Sequence, residues 1–271
     1  MMVELRVLSL GGGVQSSVMA LMGSEGLFGD PPDFAVFADT QWEPPHLYRH
    51  LDLLEKQVKF PIYRVNNGNL REDLLNLRTR QGRENFVDIP IYLKNKNGRR
   101  KGIGRRQCTN QYKIKPIHRK IREVMGLGRI PPNRKVEMWI GISCDEAERM
   151  NQSKLGWEIL RYPLIEAGLT RKDCLDWWAD RNPGVPLRKS ACVGCPYQSR
   201  GRWIELKQSY PDIFDECVRI DASLRTDMFR TQHDSYLHPD MAPLELAVNE
   251  NTLFSLTDDQ FQQECEGHCG V

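Results

Sequence analysis

The most informative part of this sequence is a glycine-rich run near its start, Ser9-Leu10-Gly11-Gly12-Gly13-Val14-Gln15-Ser16-Ser17. It follows an apolar alternation typical of a strand and leads into residues that favour a helix. Three consecutive glycines let the backbone approach a ligand without a Cβ in the way. The exposed N–H groups and the positive end of the following helix would then form an anion site. The pattern therefore predicts phosphate binding, and a tight strand-to-helix turn without a ligand is the alternative.

The composition predicts a globular protein without a membrane segment. The chain has 271 residues, 40% hydrophobic residues and a net charge of +2, which suits one large domain or one domain with a smaller appendage. It has no long apolar run and no signal-peptide pattern, so we expect a cytoplasmic protein with no membrane contact. Eight cysteines in such a protein favour metal binding or redox chemistry over a disulfide framework.

Strand and helix patterns alternate in the first half of the chain. Strands are expected at 5–10, 33–38, 62–65, 136–142 and 159–164, with helices between them. This order predicts an α/β fold with a parallel sheet and helices on both faces. We expect a nucleotide-binding domain over 1–165 and a smaller helical, cysteine-bearing region over 166–271. The Lys-, Arg- and Gly-rich stretch 94–106 reads as a mobile loop.

Asp39 and Thr40 follow the second expected strand. Because ligands bind at the carboxyl ends of the strands in open α/β sheets, these residues are candidates for a nucleotide site. A carboxylate there can accept hydrogen bonds from a ribose or an adenine amino group, or help to hold Mg²⁺. A helix N-cap is the equally good structural alternative.

A second chemical signal lies in the C-terminal half, where Cys192 and Cys195 form a C-x-x-C pair with a glycine inside and a proline after it. Two thiolates at this spacing can bind one metal centre. Thioredoxin-like redox chemistry and a purely structural role are the alternatives. The Gly- and Pro-rich setting favours a metal centre over dithiol redox chemistry.

The glycine loop resembles the PP-loop of the ATP pyrophosphatase superfamily, whose pattern is roughly S-G-G-x-D-S. Gly11 stands in place of the first Ser, and Gln15 stands in place of the acid. Sulfonucleotide (PAPS and APS) reductases of this superfamily also tolerate Gln in the loop, and they bind a nucleotide without splitting ATP. Their Asp-Thr-Gly turn, followed by an aromatic residue and Pro, resembles the run from Asp39 to Pro44, with Gln41 in place of Gly.

The resemblance extends to the cysteines. The segment around Cys108 is similar to the Cys-Cys stretch of assimilatory APS reductases, which joins a distant C-x-x-C to hold a [4Fe-4S] cluster. Thr109 stands in place of the second Cys. The resemblance therefore implies cluster ligands Cys108, Cys192 and Cys195, with zinc as the alternative metal. The fourth ligand is open: a tail cysteine such as Cys269, another cysteine such as Cys144 or Cys174, or none, as in the three-cysteine clusters of tRNA thiolation enzymes.

The tail resembles the Glu-Cys-Gly-Leu-His ending of sulfonucleotide reductases, with Cys265 and His268 aligned to its Cys and His. The resemblance implies that the Cys265 thiolate attacks the sulfonyl sulfur, with His268 lowering the thiol pKa. The alternatives are that Cys265 or Cys269 completes the metal centre, or that the terminus is disordered.

The resemblance implies two forms of sulfur chemistry on an adenine nucleotide. One is reduction of an adenylyl sulfate-type nucleotide with a thiol reductant. The other is ATP-dependent sulfur transfer, with a sulfur donor and a nucleic-acid or small-molecule acceptor, for which Ser143 in place of a family Arg and the basic stretch 94–106 argue. A non-catalytic nucleotide sensor or DNA-binding subunit with a structural metal is the third hypothesis. The expected nucleotide contacts are Ser9, Gly11, Gly12, Gly13, Gln15, Ser16, Ser17, Asp39, Thr40, Lys113 and Arg149.

Overall fold

The structure is a computed structural model that describes residues 2–84, 86–95, 97–226 and 233–248. In chain order the strands are β1 (Leu5–Leu10), β2 (Phe34–Ala38), β3 (Ile62–Val65), β4 (Tyr92–Asn95), β5 (Arg100–Ile103), β6 (Val136–Ile140), β7 (Glu158–Arg161) and β8 (His233–Tyr236). The α-helices are α1 (Val14–Ser24), α2 (Pro45–Gln57), α3 (Leu70–Leu75), α4 (Lys115–Val124), α5 (Pro163–Glu166), α6 (Arg171–Arg181), α7 (Arg200–Ser209), α8 (Pro211–Ser223) and α9 (Leu244–Ala247). A π-helix (Thr109–Ile114) precedes α4, and a 3₁₀ helix (Cys144–Arg149) follows β6.

Five of the strands form a parallel sheet in the order β3-β2-β1-β6-β7. The central strands read as nearly continuous apolar runs because both of their faces are covered, as is usual in parallel sheets. β1 lies in the middle, where Ser9 is paired with Val36 on one side and with Ile140 on the other. The next strand in the chain, β2, lies on one side of β1, and β6 lies on the other. The carboxyl end of β1 is therefore the topological switch point of the sheet.

Helices cover both faces of this sheet, as the sequence predicts. Leu8 of β1 packs in one core cluster with α1, α2 and α6, where Trp178 is fully buried. Its neighbour Val7 points to the other face and packs in a second cluster with Ile117 and Ile121 of α4. Because successive side chains of a strand alternate between faces, one strand serves both layers.

The stretch 94–106 is not the mobile loop that its composition predicts. β4 and β5 form an antiparallel hairpin within it, with Gly98 at a left-handed φ of +78° in the turn. β8 pairs with the other edge of β4, so the hairpin belongs to a three-stranded sheet. Lysine and arginine mark exposed positions as well as loops, and the partner strand lies far away in the chain, so composition alone cannot reveal the pairing.

Among the described residues after 165, the regular structure is mainly helical, as expected, with β8 as an addition. Its helices α7 and α8 pack Trp203 and Phe214 into a third core cluster. The same cluster contains Trp42 from the end of β2 and Leu70 from α3. The division of the chain at residue 165 stays a prediction. Across the described ranges, no helix is long and apolar enough to cross a membrane.

Candidate functional site

The glycine loop joins β1 to α1 in a closely packed turn. Gly12 has a left-handed φ of +74°, and a Cβ on it would lie 2.7 Å from Cδ1 of Leu47 on α2. Gly12 is therefore required both by the backbone conformation and by the approach of α2. Gly13 occupies the N-cap position of α1 and has no side chain with which to cap the helix. The N-terminus of α1 thus has the polarity that attracts anions.

Gln15 is the centre of a buried polar network at the carboxyl ends of β1 and β6. Its Nε2 donates to Glu146 Oε2 at 2.9 Å and to Ser143 Oγ at 3.2 Å. Its Oε1 accepts from Arg171 at 2.9 Å. Arg149 donates to the other carboxylate oxygen of Glu146 at 2.6 Å, and the side chains of this pair are both less than one-tenth exposed. We call these five residues the Gln15 network.

This network explains why an amide stands where the PP-loop pattern has an acid. A carboxamide can donate to Glu146 and accept from Arg171 at the same time, whereas an ionised carboxylate only accepts. A carboxylate at position 15 would instead face the Glu146 carboxylate at hydrogen-bond distance. The departure at Gln15 therefore matches its surroundings.

The Asp39–Thr40 turn at the end of β2 is not a helix cap. The N-cap of α2 is Pro44, so the capping alternative is wrong. Asp39 Oδ1 instead accepts from the backbone N–H of Gln41 at 2.7 Å and from the hydroxyl of Tyr48 at 3.0 Å. These bonds hold Gln41 at a left-handed φ of +59°, a conformation that favours glycine. Burial and the Asp39 charge raise the pKa of Tyr48 above its usual range, so Tyr48 remains a donor.

Thr40 brings the end of β2 into contact with the C-x-x-C pair. Its Oγ1 donates to Glu43 Oε1 at 2.9 Å and lies 3.3 Å from Cys192 Sγ. The Cys192 thiol also donates to Glu43 Oε1, at 3.4 Å. Glu43 is 6% exposed, and its second oxygen has no hydrogen-bond partner among the described side chains and backbone. We call these three residues the Cys192 site.

The C-x-x-C turn is fixed by its packing on Trp42. The Val193 N–H donates to the Trp42 carbonyl at 2.8 Å, and the Cys195 N–H donates to the Cys192 carbonyl at 3.1 Å. A Cβ on Gly194 would overlap the Trp42 ring. The glycine inside the motif is thus required by this close approach, which seats both cysteines beside the end of β2.

The remaining cysteines divide into two kinds. Cys108 precedes the π-helix and packs, half-buried, against the same core cluster as Cys192. Cys174 and Cys217 are fully buried in core clusters, and burial raises the pKa of the Cys217 thiol far above its usual range. Cys144 contacts the Ile165 carbonyl at 3.9 Å. Across the ranges that the structure describes, no three His, Cys, Asp or Glu side chains are grouped closely enough to hold a metal ion.

A cavity of about 290 Å³ lies between the glycine loop, α2 and the segment that leads into the C-x-x-C pair. Its lining includes Gly12, His46, Arg49, His50, Arg188, Lys189 and Ser190. This volume lies near the lower end of the roughly 300–1,000 Å³ typical of ligand pockets. The guanidinium and ammonium groups give the cavity a positive charge.

The two histidines of the cavity are neutral at pH 7. Burial lowers the pKa of His50 to about 4. Burial, followed by the charges of Arg188 and Arg202, lowers the pKa of His46 to about 4. The hydroxyl of Ser17 is hydrogen-bonded to His50 Nε2 at 2.8 Å. The charge of the cavity therefore comes from its Arg and Lys side chains alone.

The structure thus joins some of the expected site residues and separates others. It connects Gln15 with Arg149 through Glu146, and Thr40 with Cys192 directly. Ser9, Ser16 and Ser17 are buried in and beside the glycine loop. Lys113 is buried in the π-helix rather than in the lining of the cavity beside Gly12. The expected tail residues Cys265, His268 and Cys269 lie outside the described residues.

Sequence reasoning missed several residues of this region. Glu43 lies shortly after the Asp39 turn. Its burial depends on its contact with Cys192, which is distant in the chain, so the sequence alone does not indicate it. His46 and His50 stand four positions apart, a spacing that puts both on one face of α2 and could have indicated a shared pocket. Arg171 begins α6 and lies 156 residues from Gln15 in the chain, so no local pattern indicates their contact.

The cavity borders the loop after β1, the Cys192 site lies after β2, and the Gln15 network joins the segments after β1 and β6. All three lie toward the carboxyl ends of the strands, where open parallel sheets bind their ligands. No protein-family model, curated protein or solved structure matches this chain.

Proposed function

We propose that this protein is an adenine-nucleotide-binding PP-loop enzyme of sulfur metabolism, similar to the sulfonucleotide reductases. The observation that carries the proposal is the positively charged cavity that connects Gly12 of the glycine loop with Ser190, two residues before Cys192. A nucleotide held there has its phosphates at one end and a cysteine-bearing segment at the other.

The nucleotide half of the proposal rests on anion recognition. The phosphates would bind the backbone of Gly11–Ser17 and the N-terminus of α1, whose polarity favours anions. Arg49 supplies a cation in the cavity lining, and Arg188 supplies a second one that is ion-paired with Glu205. The Ser16 hydroxyl is fully buried and has no hydrogen-bond partner among the described groups, which makes it a candidate phosphate donor.

Gln15 favours binding of the nucleotide over hydrolysis of its phosphates. Its amide is engaged by Glu146 and Arg171, so this position offers no carboxylate for Mg²⁺. Asp39 is the other candidate ligand for Mg²⁺, but its Oδ1 already accepts hydrogen bonds from the Gln41 N–H and the Tyr48 hydroxyl. These contacts support the reductase form of the chemistry.

In that form, the Cys265 thiolate attacks the sulfur of an adenylyl sulfate-type nucleotide. A sulfur–sulfur bond forms, the bond between sulfur and the phosphate oxygen breaks, and AMP leaves. An external dithiol reductant then releases sulfite and is oxidised to a disulfide, which accounts for both electrons.

A [4Fe-4S] cluster on Cys108, Cys192 and Cys195 is part of the proposal. The packing of Cys108 and Cys192 on one core cluster supports a shared group there, and the Glu43 carboxylate beside Cys192 can take up the thiol proton when that sulfur becomes a ligand. When bound, such a cluster would tune the redox and electrostatic environment of the nucleotide. The role of Cys192 in this chain is then to anchor that group at the end of β2.

The second candidate function is ATP-dependent sulfur transfer to an acceptor. A large basic cavity beside Cys108 favours it, because reduction of a sulfonucleotide needs no second anionic ligand of that size. Here ATP would adenylate an oxygen of the acceptor with release of pyrophosphate, and sulfide-level sulfur would then displace AMP.

Calorimetric titration of the anaerobically purified protein with ATP, adenylyl sulfate and its 3′-phosphorylated form tests the nucleotide half. We expect a sulfonucleotide to bind, and Arg49→Gln to weaken its binding at least tenfold, since a charged hydrogen bond to phosphate contributes about 1.5–3 kcal/mol. Lys56→Gln, an exposed position in the last turn of the same helix, is the matched control. Equal affinities for Arg49→Gln and wild type would contradict the cavity as the phosphate site.

A further inference from the structure

A second cavity, of about 840 Å³, lies beside the segment that carries Cys108. The end of the basic hairpin, the π-helix and the start of α4 line one side, and the loop 151–155 with β7 lines the other. Its volume is near the upper end of the range for ligand pockets. It is about three times larger than the cavity beside Gly12.

The lining of this cavity is strongly basic. Arg105, Arg106, Lys115 and Lys154 all contribute to it. Of the described residues that line it, only Glu158 is acidic, and that carboxylate is buried and already bonded to the His118 ring at 3.0 Å and to the Ser153 hydroxyl at 2.6 Å. Because cations outnumber acids in this lining, the cavity favours an anionic ligand.

Thr109 gives an independent indication of a ligand. It lines the cavity and is 1% exposed, yet its hydroxyl has no hydrogen-bond partner among the described groups. A buried hydroxyl without a partner is costly, and native proteins rarely keep one without a reason. Thr109 begins a π-helix, a rare element that often marks functional sites.

The cavity borders the cysteines. Thr109 directly follows Cys108 in the chain. On the other side, the Arg106 guanidinium lies 5.5 Å from the centre of the Tyr197 ring, and Tyr197 follows Cys195 by two residues. A ligand in this cavity would therefore lie next to the segments that carry Cys108 and Cys195.

We propose that this cavity binds a nucleic acid chain through its phosphates. Two features favour a chain over a single nucleotide. The volume is about three times that of the cavity beside Gly12. Outside the cavity, the β4–β5 hairpin that precedes Arg105 in the chain carries exposed Arg99 and Arg100, which offer cations to further phosphates of a phosphodiester backbone. That the chain is a substrate rests on the sulfur-transfer form of the proposed function, whereas its binding does not.

Fluorescence anisotropy with labelled single-stranded DNA and RNA 12-mers at several salt concentrations tests this proposal on the full chain. Arg105→Gln combined with Lys154→Gln removes two exposed cations of the cavity, so we expect affinity to fall at least tenfold. The slope of log K against log salt should fall by about 1.4, or 0.7 for each lost phosphate contact. Lys56→Gln combined with Lys172→Gln removes two exposed cations elsewhere and should change neither.

Thr109→Val separates binding from folding. The substitution keeps the shape of the side chain and removes the unpartnered hydroxyl, so we expect an unchanged or higher melting temperature and a three- to tenfold weaker affinity for the oligonucleotide. Unchanged affinity in both sets of cavity variants, or no oligonucleotide binding by the wild type, would overturn the proposal. Equal binding of free nucleoside phosphates, lost in the same variants, would overturn the assignment to a polynucleotide.

The same variants keep this inference apart from the proposed function. Oligonucleotide binding without sulfonucleotide binding would overturn the reductase-like proposal alone. Sulfonucleotide binding with no oligonucleotide binding would overturn the inference alone.

Discussion

The Gln15 network and the Cys192 site occupy neighbouring strand ends of one sheet, yet they differ in how completely their polar groups are paired. In the Gln15 network, the amide and both Glu146 oxygens are hydrogen-bonded, and Arg149 completes a buried ion pair. In the Cys192 site, one oxygen of Glu43 carries two contacts and the other has no partner among the described groups.

The degree of hydrogen-bond pairing indicates which of the two regions is structural support. A fully paired buried network stabilises one arrangement of the loops around it. A buried carboxylate with an unpaired oxygen next to a thiol is a cost to the fold that a bound group can offset. We therefore assign the Gln15 network to positioning the glycine loop, and the Cys192 site to binding.

The largest expected effect comes from breaking the ion pair of the Gln15 network. Arg149→Met leaves the Glu146 carboxylate buried without its cation, so the free energy of unfolding should fall by about 3–5 kcal/mol. Urea denaturation measures it. Lys172→Met, which breaks an exposed pair with Asp176, is the control and should cost less than about 0.5 kcal/mol. Equal losses in the two variants would show that the Gln15 network does not support the fold.

Gln15→Glu tests the same network more finely. The introduced carboxylate loses the donor to Glu146 and faces a like charge, so we expect a loss of about 2 kcal/mol at pH 7. The like charge raises the pKa of the new group in the folded state above its unfolded value of about 4.3. The loss should therefore be absent below pH 4 and grow as pH rises through the raised pKa. Urea denaturation between pH 4 and 8 tests the sign, and a loss independent of pH would contradict it.

His50→Gln probes the other side of the glycine loop. The pKa of His50 is about 4 in the folded protein and about 6.5 when unfolded. Its neutral form therefore supports the fold above pH 6.5, and that support is lost as pH falls from 6.5 to 4. After allowance for partial solvent screening, we expect about 1 kcal/mol less acid sensitivity in His50→Gln. Lys56→Gln on the same helix should keep the wild-type dependence of stability on pH. The same dependence in His50→Gln would contradict the role of neutral His50 in supporting the fold.

The smallest expected effect on folding is at the Cys192 site. Glu43→Gln keeps an acceptor for Thr40 and Cys192, so stability should change by less than about 1 kcal/mol. Iron content after anaerobic purification should fall, because the Glu43 carboxylate can take up the Cys192 thiol proton that iron binding displaces, whereas an amide cannot. A loss of several kcal/mol in urea denaturation would instead assign Glu43 to structural support and erase the contrast with the Gln15 network.

The sequence predicted most of the fold because its elements have strong local signals. The strands at Leu5–Leu10 and Ile62–Val65 have the predicted bounds, since the glycines after Leu10 and the proline before Ile62 mark their ends. The β4–β5 hairpin was missed because its basic, glycine-containing sequence resembles a loop, and the strand that pairs with the other edge of β4, β8, is distant in the chain. The π-helix at Thr109–Ile114 was missed because no sequence signal distinguishes it from the start of α4.

The candidate site was predictable in part for similar reasons. Glycines and cysteines announce their chemistry by type and spacing, so the loop at Gly12 and the pair at Cys192 could be named. Glu43 and Arg171 acquire their roles from partners about 150 residues away, at Cys192 and Gln15. Contacts of that kind depend on the order of strands in the sheet, which local patterns do not specify.

In the function we propose, a nucleotide bound at the glycine loop undergoes sulfur chemistry at the cysteines. The most direct test is to incubate the anaerobically purified full chain with adenylyl sulfate and a dithiol and to measure sulfite and AMP. We predict equal amounts of both, and loss of both in Cys265→Ser. Pyrophosphate release from ATP without any sulfite from either sulfonucleotide would contradict the reductase form of the claim.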